Sequence, residues 1–135
     1  MTIKSDDRSA IVDLIARYCW LVDEGDGDGW AALWTKDGKF TGIPTPLEGT
    51  DQLRHMPPGF FGMADGKLRH VITNIVVDAG KNDDEALVKG YSSVYDLRAG
   101  AGKVMAFGKS NYTLVRQDGR WKIKALHADM MFAPG

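Results

Sequence analysis

Three residues of this chain are suited to proton chemistry: Asp23, His70 and Tyr18. Asp23 stands two residues before Gly25, the expected stop of a first helix. A carboxylate there meets the negative end of the helix dipole, at a cost of up to about 1 kcal/mol. It therefore either points into water or has a partner, and we take His70 as the candidate. A carboxylate beside an imidazole fixes the ring tautomer and stabilises the imidazolium. The other ring nitrogen then takes a proton near neutral pH. A tyrosine hydroxyl close by hydrogen-bonds a substrate oxygen as charge grows on it. Those three groups suffice to abstract an acidic C–H and expel a leaving group with no cofactor. His70 opens a strand whose two faces are both apolar, so partial burial is expected. Outside turns, the acids available to it are Asp23, Asp96 and Asp129; spacing alone does not choose among them.

Further candidates for the wall of a substrate pocket are Trp34, Phe60, Tyr91, Tyr95, Asn111, His127 and Asp129. His127 and Asp129 share the period-two strand face of Trp121, Ile123 and Ala125, which predicts one shared, cavity-facing side. His55 reads as exposed on a short helix. Cys19 lies in an apolar helical stripe and reads as a small buried hydrophobe. Glu24, Asp26, Asp28 and Gly29 fall at positions one, three, five and six of a calcium loop. Thr35 stands where the closing acid belongs, so no calcium site is expected. The three histidines are too dispersed for a metal centre. No phosphate loop, G-x-S-x-G elbow or C-x-x-C pair is present.

These residues need a scaffold. Ile11, Leu14, Ile15, Tyr18, Cys19 and Val22 recur at helical spacing and predict a helix over 6–24, capped by Ser5 or Asp6. A second short helix is expected over Trp30–Trp34 with Asp28 as its cap, then a strand around Lys39–Ile43. A third helix is expected from Thr50 to about Met56, ended by Pro57-Pro58-Gly59. The apolar Phe60-Phe61-Gly62-Met63 follows as a loop, either core or a flexible lid. From Leu68 the period changes to two. Strands are predicted over 68–78, 85–97, 103–116 and 120–132, joined by short turns that include Asp118-Gly119. Within the first of these, His70, Ile72, Asn74 and Val76 share one face. Helices followed by a long meander imply an α+β class, with three N-terminal helices on a curved, mostly antiparallel sheet around an apolar pocket.

The chain has 135 residues, 44% of them hydrophobic, enough for a single domain over 1–135 with its own core. The net charge of -1, spread evenly, argues against nucleic acid or an anionic membrane as partner. No apolar run reaches the ~18 residues of a membrane span. Residues 1–7 carry no apolar leader segment, and a cytoplasmic location is the expectation.

The chain resembles the SnoaL-like branch of the NTF2-like superfamily. The resemblance rests on Ile11-Val12-x-Leu14-Ile15-Ala16-Arg17-Tyr18, Asp23-x-Gly25-Asp26, Trp30-x-x-Leu33-Trp34 and Glu48-Gly49. It continues in Arg69-His70-x-x-Thr73-Asn74 and Asp118-Gly119-Arg120-Trp121-Lys122-Ile123. Within that family the chain is most similar to scytalone dehydratase-like enzymes, and to the bile-acid and hexachlorocyclohexane lyases. The resemblance implies a cone-shaped α+β fold and an Asp–His dyad made of Asp23 and His70. It further implies a lyase-type β-elimination with His70 as base, and Tyr18 as the first-helix tyrosine of the bile-acid enzyme. The chain departs from these relatives where assisting groups stand. Phe40-Thr41-Gly42-Ile43 lacks the acid of ketosteroid isomerase, Met105–Lys109 lacks a second histidine, and Tyr91–Tyr95 lacks a further acid.

The expected function is therefore a cofactor-independent dehydratase-type lyase acting on a small apolar cyclic molecule, in a homodimer or homotrimer. The alternatives are a non-catalytic ligand-binding or oligomerisation module of the same fold, and an isomerase or cyclase that moves a proton with the same dyad.

Overall fold

The computed structural model describes residues 2–133. Helix α1 (Ser5–Asp23) buries the predicted stripe of Ile11, Leu14, Ile15, Tyr18, Cys19 and Val22. Each such side chain contributes about 1.5–3 kcal/mol of gross hydrophobic stabilisation. Its start is not side-chain capped: Lys4 is the cap residue, and neither Ser5 nor Asp6 serves. Asp7 in the first turn is instead drawn into tertiary contacts with Arg116 and the Trp121 indole. Its end is sharply defined. Gly25 takes φ +72°, its N–H donates to Val22 O, and the Asp26 N–H donates to Leu21 O. This paired closure makes Asp23 the last helical residue and fixes where its side chain leaves the helix.

Helix α2 (Gly27–Ala31) follows at once. Its cap is Asp26, which accepts from the Gly29 N–H at 2.8 Å, and not Asp28, which pairs with Arg54. The acids that mimic a calcium loop are thus used as a cap and an ion pair. Strand β1 (Trp34–Thr41) begins where the second helix was expected to continue, and β2 is Leu47–Glu48. Helix α3 (Thr50–Leu53) is preceded by Gly49, so Thr50 is its first residue and not its cap. Helix α4 (Met56–Met63) overturns the expected loop. Pro57 and Pro58 begin a helix here; proline lacks only an N–H that the first turn leaves free.

Strands β3 (Leu68–Ala79), β4 (Glu85–Asp96), β5 (Lys103–Gln117) and β6 (Arg120–Phe132) form the meander. The sheet order is β2-β1-β6-β5-β4-β3, antiparallel except for the parallel β1–β6 pair. The architecture is α+β, helices on one face of a six-stranded sheet, as the patterning predicted. Among the described residues four helices are present where three were expected.

Bulges curve the sheet and decide which residues face α1. A β6 bulge sets Ala125 opposite Thr113 but Ile123 opposite Leu114. The residue between them, Lys124, flips the alternation: Trp121 and Ile123 are buried, then Leu126 and Ala128. A second bulge lies on β3, where Asn74 adopts φ +55°. Past it Ile75 and Val77 join the His70 face, while Val76 turns outward. Among the described residues no helix is long and apolar enough to cross a membrane.

Candidate functional site

The closure at Gly25 aims Asp23 sideways at the first residues of β3. Strand β3 is the sheet's outer edge, so half of its N–H groups lack a strand partner. Asp23 fills one of these positions. Its two oxygens accept the His70 backbone N–H at 3.0 and 3.1 Å, and Oδ1 also meets the His70 Nδ1 at 2.8 Å. Each of the two side chains is only 11% exposed. The acid at the unfavourable helix end thus has a partner, and it is His70. Asp96 instead accepts from Arg98 and ties the β4–β5 turn, which holds its carboxyl down at about 2. Asp129 is exposed on β6.

A carboxylate on Nδ1 leaves that nitrogen as donor and Nε2 as the basic position. Among the described residues Nε2 has no hydrogen-bond partner. The Phe60 ring from α4 stands nearly perpendicular to the imidazole, 77° between planes and 5.3 Å between centroids. The position opposite His70 on β4 is Val94, so the imidazole sits in largely apolar surroundings.

Tyr18 is buried in the core against Trp30 (5.3 Å) and Tyr112 (5.8 Å), and burial raises its hydroxyl well above the ordinary tyrosine range. It stays protonated and can only act as a neutral donor or acceptor. Among the described residues no hydrogen bond joins it to Asp23 or His70. Cys19, one turn before Asp23, is pushed up to about 12, first by burial and then by the Asp23 charge. It remains a thiol, as its sequence position implied.

Two further buried residues add to this picture. The Tyr112 hydroxyl and the Trp30 indole N–H are buried beside Tyr18 with no partner among the described residues. The Trp34 indole N–H is likewise unpartnered, with its ring stacked on Phe40 at 5.9 Å. Trp34 is core, packed away from His70. For Tyr112 the signal was available: it is a polar aromatic flanked by Ser110 and Leu114 on the buried face of β5.

The remaining expected wall residues lie away from the Asp23–His70 contact. Tyr91, Tyr95, Asn111, His127 and Asp129 are all exposed, on the sheet face turned away from α1. The Lys124 bulge is the cause for His127 and Asp129. His127 instead meets the Thr41 hydroxyl at 2.8 Å, and Tyr91 packs on Phe107. The inner face carries small residues in their place: Ser92, Ala106, Gly108, Ser110 and Ala128.

An open-mouthed apolar cavity of about 450 Å³ lies between the segment after β1 and α3–α4, walled by Ile43, Leu47, Met56, Phe60 and Met63. Phe60 belongs both to this wall and to the surroundings of His70.

A family model for the SnoaL-like domain matches residues 4–127. The chain belongs to the SnoaL-like family. No curated protein matches the chain. Among solved structures, it is similar to Rv3472 of Mycobacterium tuberculosis, a protein of unknown function solved as an aspartate-to-asparagine variant. The identity is 27% and the TM-score 0.83, over 92% of this chain and 71% of that one. An NTF2-like protein with a cystatin-like fold from Novosphingobium aromaticivorans matches at 21% identity and TM-score 0.85, over 96% and 84%. A protein from the same organism, provisionally designated a scytalone dehydratase, matches at 22% and 0.81, over 93% and 85%. At these identities the last two show the fold, which is that of the SnoaL-like and NTF2-like domains.

Proposed function

We propose that this SnoaL-like protein is a cofactor-independent lyase of the dehydratase type, acting on a small apolar cyclic substrate. The observation that carries the reading is the Asp23–His70 contact of 2.8 Å, nearly buried, with Nε2 left unpartnered. In this scheme Nε2 takes the proton from a carbon next to a carbonyl. Asp23 holds Nδ1–H and stabilises the imidazolium. The electron pair of the broken C–H bond forms the new C=C, and the hydroxyl on the adjacent carbon leaves as water, taking the proton back from the His70 imidazolium. Tyr18, kept neutral by burial, donates to the substrate carbonyl. General base catalysis of this kind contributes ~10²–10⁴-fold. The proton-shuttling isomerase or cyclase reading uses the same first step and differs only in product.

The test is dehydration of a β-hydroxytetralone, whose loss of water gives a fluorescent naphthol. Wild type accelerates the reaction, and His70→Ala loses ~10²–10⁴-fold. Full turnover by His70→Ala refutes the reading, and a ring-rearranged product moves the assignment to an isomerase.

We further propose self-association through the outer sheet face. Leu87, Tyr91, Tyr95 and Val104 there are each 36–46% exposed, large apolar side chains left in solvent on one sheet face.

A further inference from the structure

The apolar cavity ends at Phe60, and the dyad begins behind it. Phe60 thus lines this apolar space and also packs against the His70 ring at 5.3 Å. The cavity's size falls within the ~300–1,000 Å³ of small-molecule sites. Its wall is apolar at Ile43, Leu47, Met56 and Phe60, but one edge is polar, formed by Gln52 and His55. Gln52 is oriented by its own backbone contact: its Oε1 accepts the Glu48 N–H at 2.9 Å. That leaves its NH₂ as the group offered to a ligand. His55 adds a ring nitrogen of either role. The polar edge thus suits one hydrogen-bonding oxygen on an otherwise apolar ring system.

The helix that carries Phe60 is weak by composition. Gly59 and Gly62 bracket Phe60-Phe61, and a Cβ added at either meets nothing within 4 Å. Neither glycine is required by packing, so each only lowers the helix propensity of an eight-residue element. Phe61, by contrast, occupies the space that a Cβ at Gly25 or Gly66 would need, and so ties the helix to the end of α1.

We propose that this cavity is the vestibule of the dyad. A cyclic, apolar ligand enters it, Gln52 and His55 hold its oxygen on entry, and loosening of α4 withdraws Phe60 so that the ring passes on to His70, where Tyr18 takes over the carbonyl. The identification of the inner end as catalytic rests on the proposed function; the binding steps do not.

The chain's three histidines serve as built-in reporters, because they stand at the cavity rim, in the dyad and on the outer face. Histidine-selective NMR during titration with α-naphthol is expected to shift the ring signals of His55 and His70 and leave those of His127 in place. His55→Ala weakens α-naphthol by ~3–10-fold, the loss of one neutral hydrogen bond, and leaves α-methylnaphthalene unchanged. Gly62→Ala, which fills empty space and favours the closed helix, weakens α-naphthol about fivefold. No binding of α-naphthol, or a His70 shift without a His55 shift, overturns the vestibule. Equal losses for both naphthalenes in His55→Ala overturn the polar edge. Wild-type affinity in Gly62→Ala overturns the gate. The vestibule is read from α-naphthol binding to His55→Ala and Gly62→Ala, and the catalytic reading from dehydration by His70→Ala, so the two proposals fail separately.

Discussion

Replacing Asp23 by alanine removes three interactions at once. The His70 backbone N–H loses both oxygens, and Nδ1 loses its partner. Hydrogen bonds to a charged acceptor are worth about 1.5–3 kcal/mol each, and a nearly buried donor left bare adds its own penalty. Against this, removing a carboxylate from a helix C-terminus relieves up to about 1 kcal/mol. The net expectation is a loss of about 2–4 kcal/mol for Asp23→Ala. Asp23→Asn keeps one acceptor for the backbone N–H and loses about 1–2 kcal/mol. At about 3–5 °C per kcal/mol for a chain of this size, alanine lowers Tm by roughly 6–20 °C. The assay is thermal unfolding followed by circular dichroism, with Asp13→Ala as control. Asp13 pairs with Arg17 at 2.7 Å, but the two side chains are 60% and 67% exposed. Such a pair is worth about 0–1 kcal/mol. If Asp23→Ala melts no lower than Asp13→Ala, the contact with His70 does not hold α1 to the sheet edge, and the reasoning fails.

Other perturbations have defined outcomes. Arg98 holds Asp96 at about 2, below the ordinary carboxylate value, so this pair stabilises the fold above pH ~4. That contribution is lost as pH falls from ~4 through ~2, and Asp96→Asn flattens the fall in urea midpoint over this window. Gly25→Ala forces a side chain into φ +72° and sets its Cβ 2.9 Å from that of Phe61; at least about 1–2 kcal/mol is lost, read from chemical denaturation. Leu87→Lys with Tyr91→Lys places charge on the outer sheet face and yields a monomer in sedimentation equilibrium. An unchanged assembly rules that face out as the interface.

Much of this fold is legible in the sequence because its signals are periodic. The α1 stripe emerges with all six predicted residues buried, and the meander strands agree within a residue or two at each end. The errors have local physical causes. Pro57-Pro58 reads as a helix stop, yet it opens α4. Trp34 kept a helical spacing to Trp30, but pairing of β1 with β6 made it the first strand residue. The bulges did the most damage, because one extra residue exchanges the two faces of everything beyond it. Asn74 offered a hint, being among the residue types that accept positive φ. Lys124 offered none, and His127 and Asp129 went to the wrong side with it. The dyad is a different case. Forty-seven residues separate Asp23 from His70. No spacing argument joins them, and only the family resemblance selected Asp23 over Asp96 and Asp129.

The account turns on the arrangement of one imidazole: Nδ1–H held by Asp23 and Nε2 free to take a proton. Nitrogen NMR of the neutral His70 ring measures this directly. The account predicts a protonated Nδ1 and a bare Nε2 in wild type, with that preference weakened in Asp23→Asn. A ring protonated on Nε2, or a tautomer indifferent to Asp23, contradicts it.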